Sequence, residues 1–200
     1  MKLFFTPGAC SLSPHIALRE AGTPFDLEQV DLKSKQTKSG GDYRAVNPKG
    51  SVPALQLDNG QVLTEGPAIV QYIADQKPQS KLAPAAGTFE RYRLQEWLNY
   101  LSSELHKMYS PLFNPATPAD QQQAVKSAIG TKLELVNRNL EGKQFLMGDT
   151  FTVADGYLFT ILSWSKHVGM NVPAGLNSYF DRIASRPAVQ SAMKAEGLIK

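Results

Sequence analysis

The sequence predicts a small α/β domain over residues 1–78, a linker at 79–87 and an all-helical domain over 88–200. Three observations carry this division. Strand and helix signals alternate through the first 76 residues. The stretch KPQSKLAPAAG (77–87) is rich in Pro, Ala, Gly and Ser and has no hydrophobic period. Beyond it, apolar residues recur at the spacing of one helix face.

In the first half, residues 2–6 read as a strand and 11–21 as a helix, with Ser11 or Ser13 as N-cap, Pro14 in the first turn and Gly22 just past the end. Residues 25–32 give a second strand, so a parallel βαβ unit is expected. Residues 34–45 are polar and loosely helical at best. A hairpin follows: 52–57, a turn at Asp58-Asn59-Gly60, then 61–64, the Asn-Gly pair supplying the positive φ angles of a tight turn. Residues 65–76 form a helix with Pro67 in its first turn and Ile69, Val70 and Ile73 as its apolar stripe. The order β-α-β-(α)-β-β-α describes a small sheet with helices against it.

In the second half, Leu94, Trp97, Leu98, Leu101, Leu105 and Met108 mark one helix over 89–109, ended by Pro111, Pro115 and Pro118. A long helix over 119–140 and a compact connection at 145–148 come next. Thr152-Val153-Ala154-Asp155 reads as a structural capping box with a short acid at its third helical position, opening a buried, aromatic-rich helix to about 166. Short helices at 177–185 and 187–194 complete the bundle.

Composition narrows the function. Hydrophobic residues at 42% and charged residues at 20% are those of an ordinary globular protein. The net charge of +3 is spread along the chain and leaves no nucleic-acid footprint. No apolar run approaches the roughly 18 residues of a membrane span, and Pro7-Gly8 arrives too early for a signal peptide. A single cysteine points to a reducing, cytoplasmic setting. His15, His106 and His167 lie too far apart in sequence for a metal motif, so no metal is expected.

Four places carry chemistry. Cys10 follows the first strand at the mouth of the first helix, where backbone N–H groups and the helix dipole favour thiolate; a purely structural cysteine belongs mid-strand or on an inward helix face. Val52-Pro53, after the turn Asn47-Pro48-Lys49-Gly50, is either a plain strand start or a cis step exposing the Val52 backbone to a peptide ligand. Glu65-Gly66 opens a helix: Gly66 lets a carboxylate approach the N–H groups and Glu65 attracts an ammonium, or Glu65 simply complements the dipole. Asn99, Ser103 and His106, flanked by Lys107 and Ser110, share one helix face, as a solvated surface or as a cleft wall supplying a proton acceptor and a cation. His15 and His167 read as packing or surface residues.

Together the segments MKLFFTPGACSLS (1–13), NPKGSVPAL (47–55), LTEGPAIVQY (63–72), EWLNYLSSELHK (96–107), FTVADGYLF (151–159) and RPAV (186–189) resemble the cytosolic glutathione transferase superfamily, specifically its bacterial beta class, over essentially the whole chain. The resemblance implies a thioredoxin-like N-terminal domain joined to an all-α one, homodimerisation, and glutathione as co-substrate for conjugation to small hydrophobic electrophiles in detoxification, with no separate cofactor. It also implies that Val52 pairs with the cysteinyl part of glutathione, Glu65 and Gly66 hold its γ-glutamyl end, and Lys35 reaches its glycine carboxylate. Asn99, Ser103 and His106 would form the helical wall, and Cys10 would lie close enough to the glutathione sulfur for a mixed disulfide.

Two positions depart from the wider pattern. Gly66 stands where most members have Ser, removing a hydroxyl contact, and no Tyr precedes Tyr43, so thiol activation falls to Cys10, Ser11 or His106. A thiol of pKa about 8.5 is ionised only to a few per cent at pH 7, and lowering it one to two units takes roughly 1.4–2.8 kcal/mol. Besides conjugation, Cys10 gives the chain possible thiol-disulfide or peroxidase activity. The competing readings are a glutaredoxin-like mixed-disulfide reductase, through Cys10-Ser11-Leu12-Ser13, and a non-enzymatic ligand carrier.

Overall fold

The computed structural model describes all 200 residues. Its N-terminal half is a five-stranded sheet in the order β3-β2-β1-β4-β5. Strand β1 (Lys2–Phe5) pairs in parallel with β2 (Asp26–Asp31) through helix α1 (Leu12–Glu20), the expected βαβ unit. β4 (Ala54–Gln56) and β5 (Val62–Thr64) form the expected hairpin. Within its turn only Gly60 takes positive φ, while the Asn59 side chain accepts from Gln61 N–H.

Where a loose helix was expected at 34–45, the chain makes the two-residue strand β3 (Gln36–Thr37), antiparallel to β2, and a single 3-10 turn at Tyr43–Ala45. The Thr37 hydroxyl accepts from Gly41 N–H, and Gly40 at φ 93° closes the hairpin that a helix would have to break.

Alternation along β1 sets the two faces of the sheet. Leu3 and Phe5 enter the large core with α1, α2 (Gly66–Gln76) and the helical half, while Phe4 packs with Val30, Tyr43, Val52 and Ala54 on the far side. α1 is the keystone: it packs on α2, on α6 (Val153–His167) and on α8 (Pro187–Ala195). The large core therefore runs unbroken from sheet to bundle, fixing the cleft between the halves. The buried Arg91, paired with Asp75, ties α3 (Phe89–Tyr100) to α2 at the same seam.

In the helical half, α3 (Phe89–Tyr100) does not continue as one helix to 109. It passes into a π-helical turn at Leu101–Leu105, a 3-10 turn at His106–Tyr109 and a four-residue helix, α4 (Ser110–Phe113). Pro111 sits inside the first turn of α4, where its missing N–H costs nothing. α5 (Ala119–Asn139) and α7 (Ala174–Ala184) complete the bundle. Thr152 and Asp155 form the expected capping box. The Asp155 carboxylate also accepts from Leu146 N–H and from the Tyr179 hydroxyl, so the box anchors three segments rather than one. No helix is long and apolar enough to cross a membrane.

Candidate active site

Between the halves lies a cavity of about 410 Å³ whose wall includes Cys10, Val52, Glu65, Gly66, His106 and Tyr157. The Val52-Pro53 bond is cis. The loop ahead of it is held by Tyr43 and Asn47, which both donate to the Ser51 carbonyl, at 2.8 and 2.7 Å. Glu65 caps α2 with φ 71°, a conformation costly for a non-glycine residue and found where a site demands it. Its carboxylate accepts from Lys49 Nζ at 2.6 Å, which also reaches the Thr64 hydroxyl. Gly66 opens the helix, and nothing lies within 4 Å of where its Cβ would stand. Lys35 is not among the residues lining the cavity; its Nζ donates at 2.7 Å to the carbonyl of Gly50, which sits between the lining residues Lys49 and Ser51.

Cys10 corrects an expectation. The N–H groups of Cys10 and Ser11 do favour the thiolate, but burial dominates and pushes the thiol up to about 11. It is a protonated donor, to the Val52 carbonyl at 3.2 Å. Ser11 stands at the N-cap position of α1 yet turns inward, exchanging hydrogen bonds with Thr6 N–H and C=O at 3.1 and 3.2 Å. Fully buried and committed to Thr6, it is removed from the thiol-activating candidates.

The loop before Cys10 is gripped by the helical half. Gly8 N–H donates to Glu196 at 2.9 Å, and Trp164 Nε1–H donates to Gly8 C=O at 2.8 Å. Glu196 also binds His15 Nδ1 at 2.8 Å, while Arg19 Nε–H donates to His15 Nε2 at 2.9 Å. Since arginine can only donate, His15 carries its proton on Nδ1 and is a neutral link in a buried relay.

Ser102, rather than Ser103, lines the cavity beside His106 and Lys107; it stands four residues before His106 and so on the same helix face. Ser103 is exposed and donates to Asn99 C=O, and Asn99 is exposed on the same outer face. The expectation of one shared face for Asn99, Ser103 and His106 assumed an unbroken α-helix. Burial, with Lys107 acting in the same direction, pushes His106 down to about 4, leaving a neutral imidazole.

A second cavity of about 610 Å³ adjoins the first, and Cys10 and His106 border both. Its wall is mostly apolar and comes largely from the helical half, with Phe113, Trp164, Met193 and Leu198 prominent. His167 lines it as well. Sequence reasoning missed Tyr157, Trp164, Phe113 and Glu196. Tyr157 and Trp164 belong to a helix read as core, Phe113 falls in the proline-rich connection after the first long helix, and Glu196 lies just past the last one, so none was marked by its sequence.

Comparison with known proteins now bears on this geometry. The family model for the glutathione S-transferase N-terminal domain matches residues 8–76, and that for the C-terminal domain matches 100–187. Glutathione S-transferase GstA of Escherichia coli O157:H7 is 48% identical, over 99% of this chain and all of that one. The beta-class glutathione S-transferase of Sphingomonas chungbukensis superposes with a TM-score of 0.96 at 51% identity, over the full length of both chains. A sphingomonad glutathione S-transferase solved with glutathione gives 0.95 at 50% identity, again over both full chains. Domain models, whole-length identity and superposition agree with a cleft whose polar and apolar pockets meet at a thiol: the chain belongs to the glutathione S-transferase superfamily, in its bacterial beta class.

Proposed function

We propose that the chain binds reduced glutathione along the polar cavity and transfers its sulfur to a small hydrophobic electrophile seated in the apolar one. The observation that carries this is the meeting of the two cavities at Cys10 and His106. A nucleophilic sulfur held there faces the second substrate directly, which is the positional requirement of a two-substrate transfer.

The residues take the following roles in this reading. Val52 pairs its backbone with the cysteinyl unit, and Glu65 exchanges Lys49 for the γ-glutamyl ammonium. The N–H groups opening α2 at Gly66 hold the γ-glutamyl carboxylate. Lys35, beside Gly50, reaches the glycine carboxylate. Ser102 replaces Ser103 on the helical wall, and Asn99 and Ser103 are assigned no contact within the single chain. When the cysteinyl N–H takes the Val52 carbonyl, the Cys10 S–H is released from it and donates to the glutathione sulfur, stabilising its thiolate.

Thiol-disulfide chemistry is the second role proposed for Cys10. Its thiolate attacks oxidised glutathione, forming the mixed disulfide and releasing one reduced glutathione. With the thiol held near 11 this step is slow at neutral pH, so conjugation is the main activity. The setting proposed is the cytoplasm, and the assembly a homodimer. Exposed Leu135 lines a cavity of about 490 Å³ between α3 and α5, and Phe89 and Tyr92 are exposed on α3, apolar surface that a second copy would cover.

Calorimetric titration of the dithiothreitol-reduced protein with glutathione, paired with a conjugation assay on 1-chloro-2,4-dinitrobenzene, tests the reading. It expects one glutathione per chain, turnover, and a single species of twice the chain mass in sedimentation. Absence of glutathione binding by the reduced protein overturns it.

A further inference from the structure

Helix α6 was read from its sequence as packing, yet two of its side chains hold His106. The Tyr157 hydroxyl lies 2.6 Å from His106 Nδ1, with the two rings edge to face at 5.9 Å. Trp164, two turns further along α6 and on the same helix face, covers the imidazole at 4.8 Å between ring centres. The ring is thereby clamped from two directions, and its Nδ1 is spoken for. Its Nε2 has no partner in the protein and is not among the buried orphan atoms, so it opens onto the junction of the two cavities that His106 borders.

We propose that Tyr157 is a positioning residue that fixes His106 as the neutral tautomer with its proton on Nε2, aimed as a hydrogen-bond donor at the sulfur held between the cavities. Donor and acceptor strengths set the direction of the Tyr157–His106 bond. The phenol O–H is the stronger donor of the pair and the imidazole nitrogen the stronger acceptor. Ser102 lines the same cavity as the two rings. Burial holds the phenol protonated and the imidazole neutral, which keeps the bond in that sense at neutral pH. The ionisable groups around the ring are Cys10 from the loop before α1, Glu65 at the start of α2, Lys107 beside it and His167 at the end of α6. Tyr157 itself touches neither proton transfer nor substrate sulfur in this account; it acts through His106.

The proposal rests on the glutathione reading for the identity of the sulfur, but not for the tautomer. Nitrogen-15 NMR of histidine-labelled protein, free of glutathione, reads the tautomer directly, with the His106 signal assigned by its loss in His106→Gln. The Nε2-protonated pattern is expected at pH 7, and an Nδ1-protonated pattern overturns the proposal without any Tyr157 variant. Tyr157→Phe is expected to give a mixture of tautomers. In ultraviolet titration, the thiolate midpoint of bound glutathione should move up by about one pH unit and kcat fall about tenfold, with glutathione affinity within about twofold of the parent. An unchanged tautomer and an unchanged thiolate midpoint in Tyr157→Phe overturn the assignment. A parent protein that shows the Nε2-protonated tautomer but binds no glutathione leaves the clamp standing and removes the glutathione reading instead.

Discussion

The two walls of the cleft are built on different principles. The N-terminal wall presents backbone groups and charges: the Val52 carbonyl, the amides opening α2, and Glu65 against Lys49. The helical wall presents side-chain bodies: Phe113, Trp164, Tyr157 and the ring of His106. A backbone wall recognises a peptide by groups every peptide has, and its geometry is fixed by a few special residues. An aromatic wall recognises shape and apolar area, and can be varied without disturbing the fold that carries it. On the proposed reading, the chain pairs a fixed site for an invariant tripeptide with an adaptable one for the second substrate.

If the walls are as separate as this, changes in one should leave the other's function in place. The largest expected effect tests the foundation of the helical wall. Asp155→Ala removes the carboxylate that accepts from Leu146 N–H, Thr152 N–H, the Thr152 hydroxyl and the Tyr179 hydroxyl, leaving those donors buried. A loss of about 3–5 kcal/mol in denaturant unfolding is expected; a loss below about 1 kcal/mol would show that the box does not anchor α6.

Next is the protonation of Cys10. With burial holding the thiol near 11, iodoacetamide should alkylate the reduced, folded protein about 300-fold more slowly at pH 7 than a free thiol of pKa about 8.5. Because the thiolate is the reactive form, the rate should climb about tenfold per pH unit through pH 10. A plateau near neutrality contradicts the protonated donor and restores the thiolate expected from the helix mouth.

Glu65→Gln sharpens the comparison from the polar side. Removing the charge proposed to meet the γ-glutamyl ammonium should raise the glutathione Kd about 10–100-fold, as measured by calorimetry. The smallest effect reverses the sign. Gly66→Ser places a hydroxyl into open space at the first turn of α2, and glutathione should bind about threefold tighter for the contact regained. Unchanged or weaker binding would place the γ-glutamyl carboxylate elsewhere.

The same contrast explains what the sequence revealed. The polar wall was legible because backbone sites leave local signatures: Pro53 after the Asn47–Gly50 turn, Gly66 after a glutamate, and a lone cysteine between strand and helix. The helical wall was nearly silent. Tyr157 and Trp164 ride α6 at spacings that serve core and cavity alike, and Phe113 lies between Pro111 and Pro115, which read as the end of a helix. Ser102 and Ser103 are chemically identical neighbours, and Ser102, four residues before His106, is the one that lines the cavity. The Cys10 expectation failed for a related reason: position gives the helix dipole, but the burial that outweighs it comes from residues distant in sequence.

Two-substrate kinetics with glutathione and 1-chloro-2,4-dinitrobenzene, on the parent, Glu65→Gln and Phe113→Ala, tests the division of labour most directly. The account predicts that Glu65→Gln raises KM for glutathione about tenfold or more and leaves KM for the electrophile within twofold, and that Phe113→Ala does the opposite with a smaller rise. Equal rises in both constants for either variant would contradict it, because the two cavities would then be acting as one site.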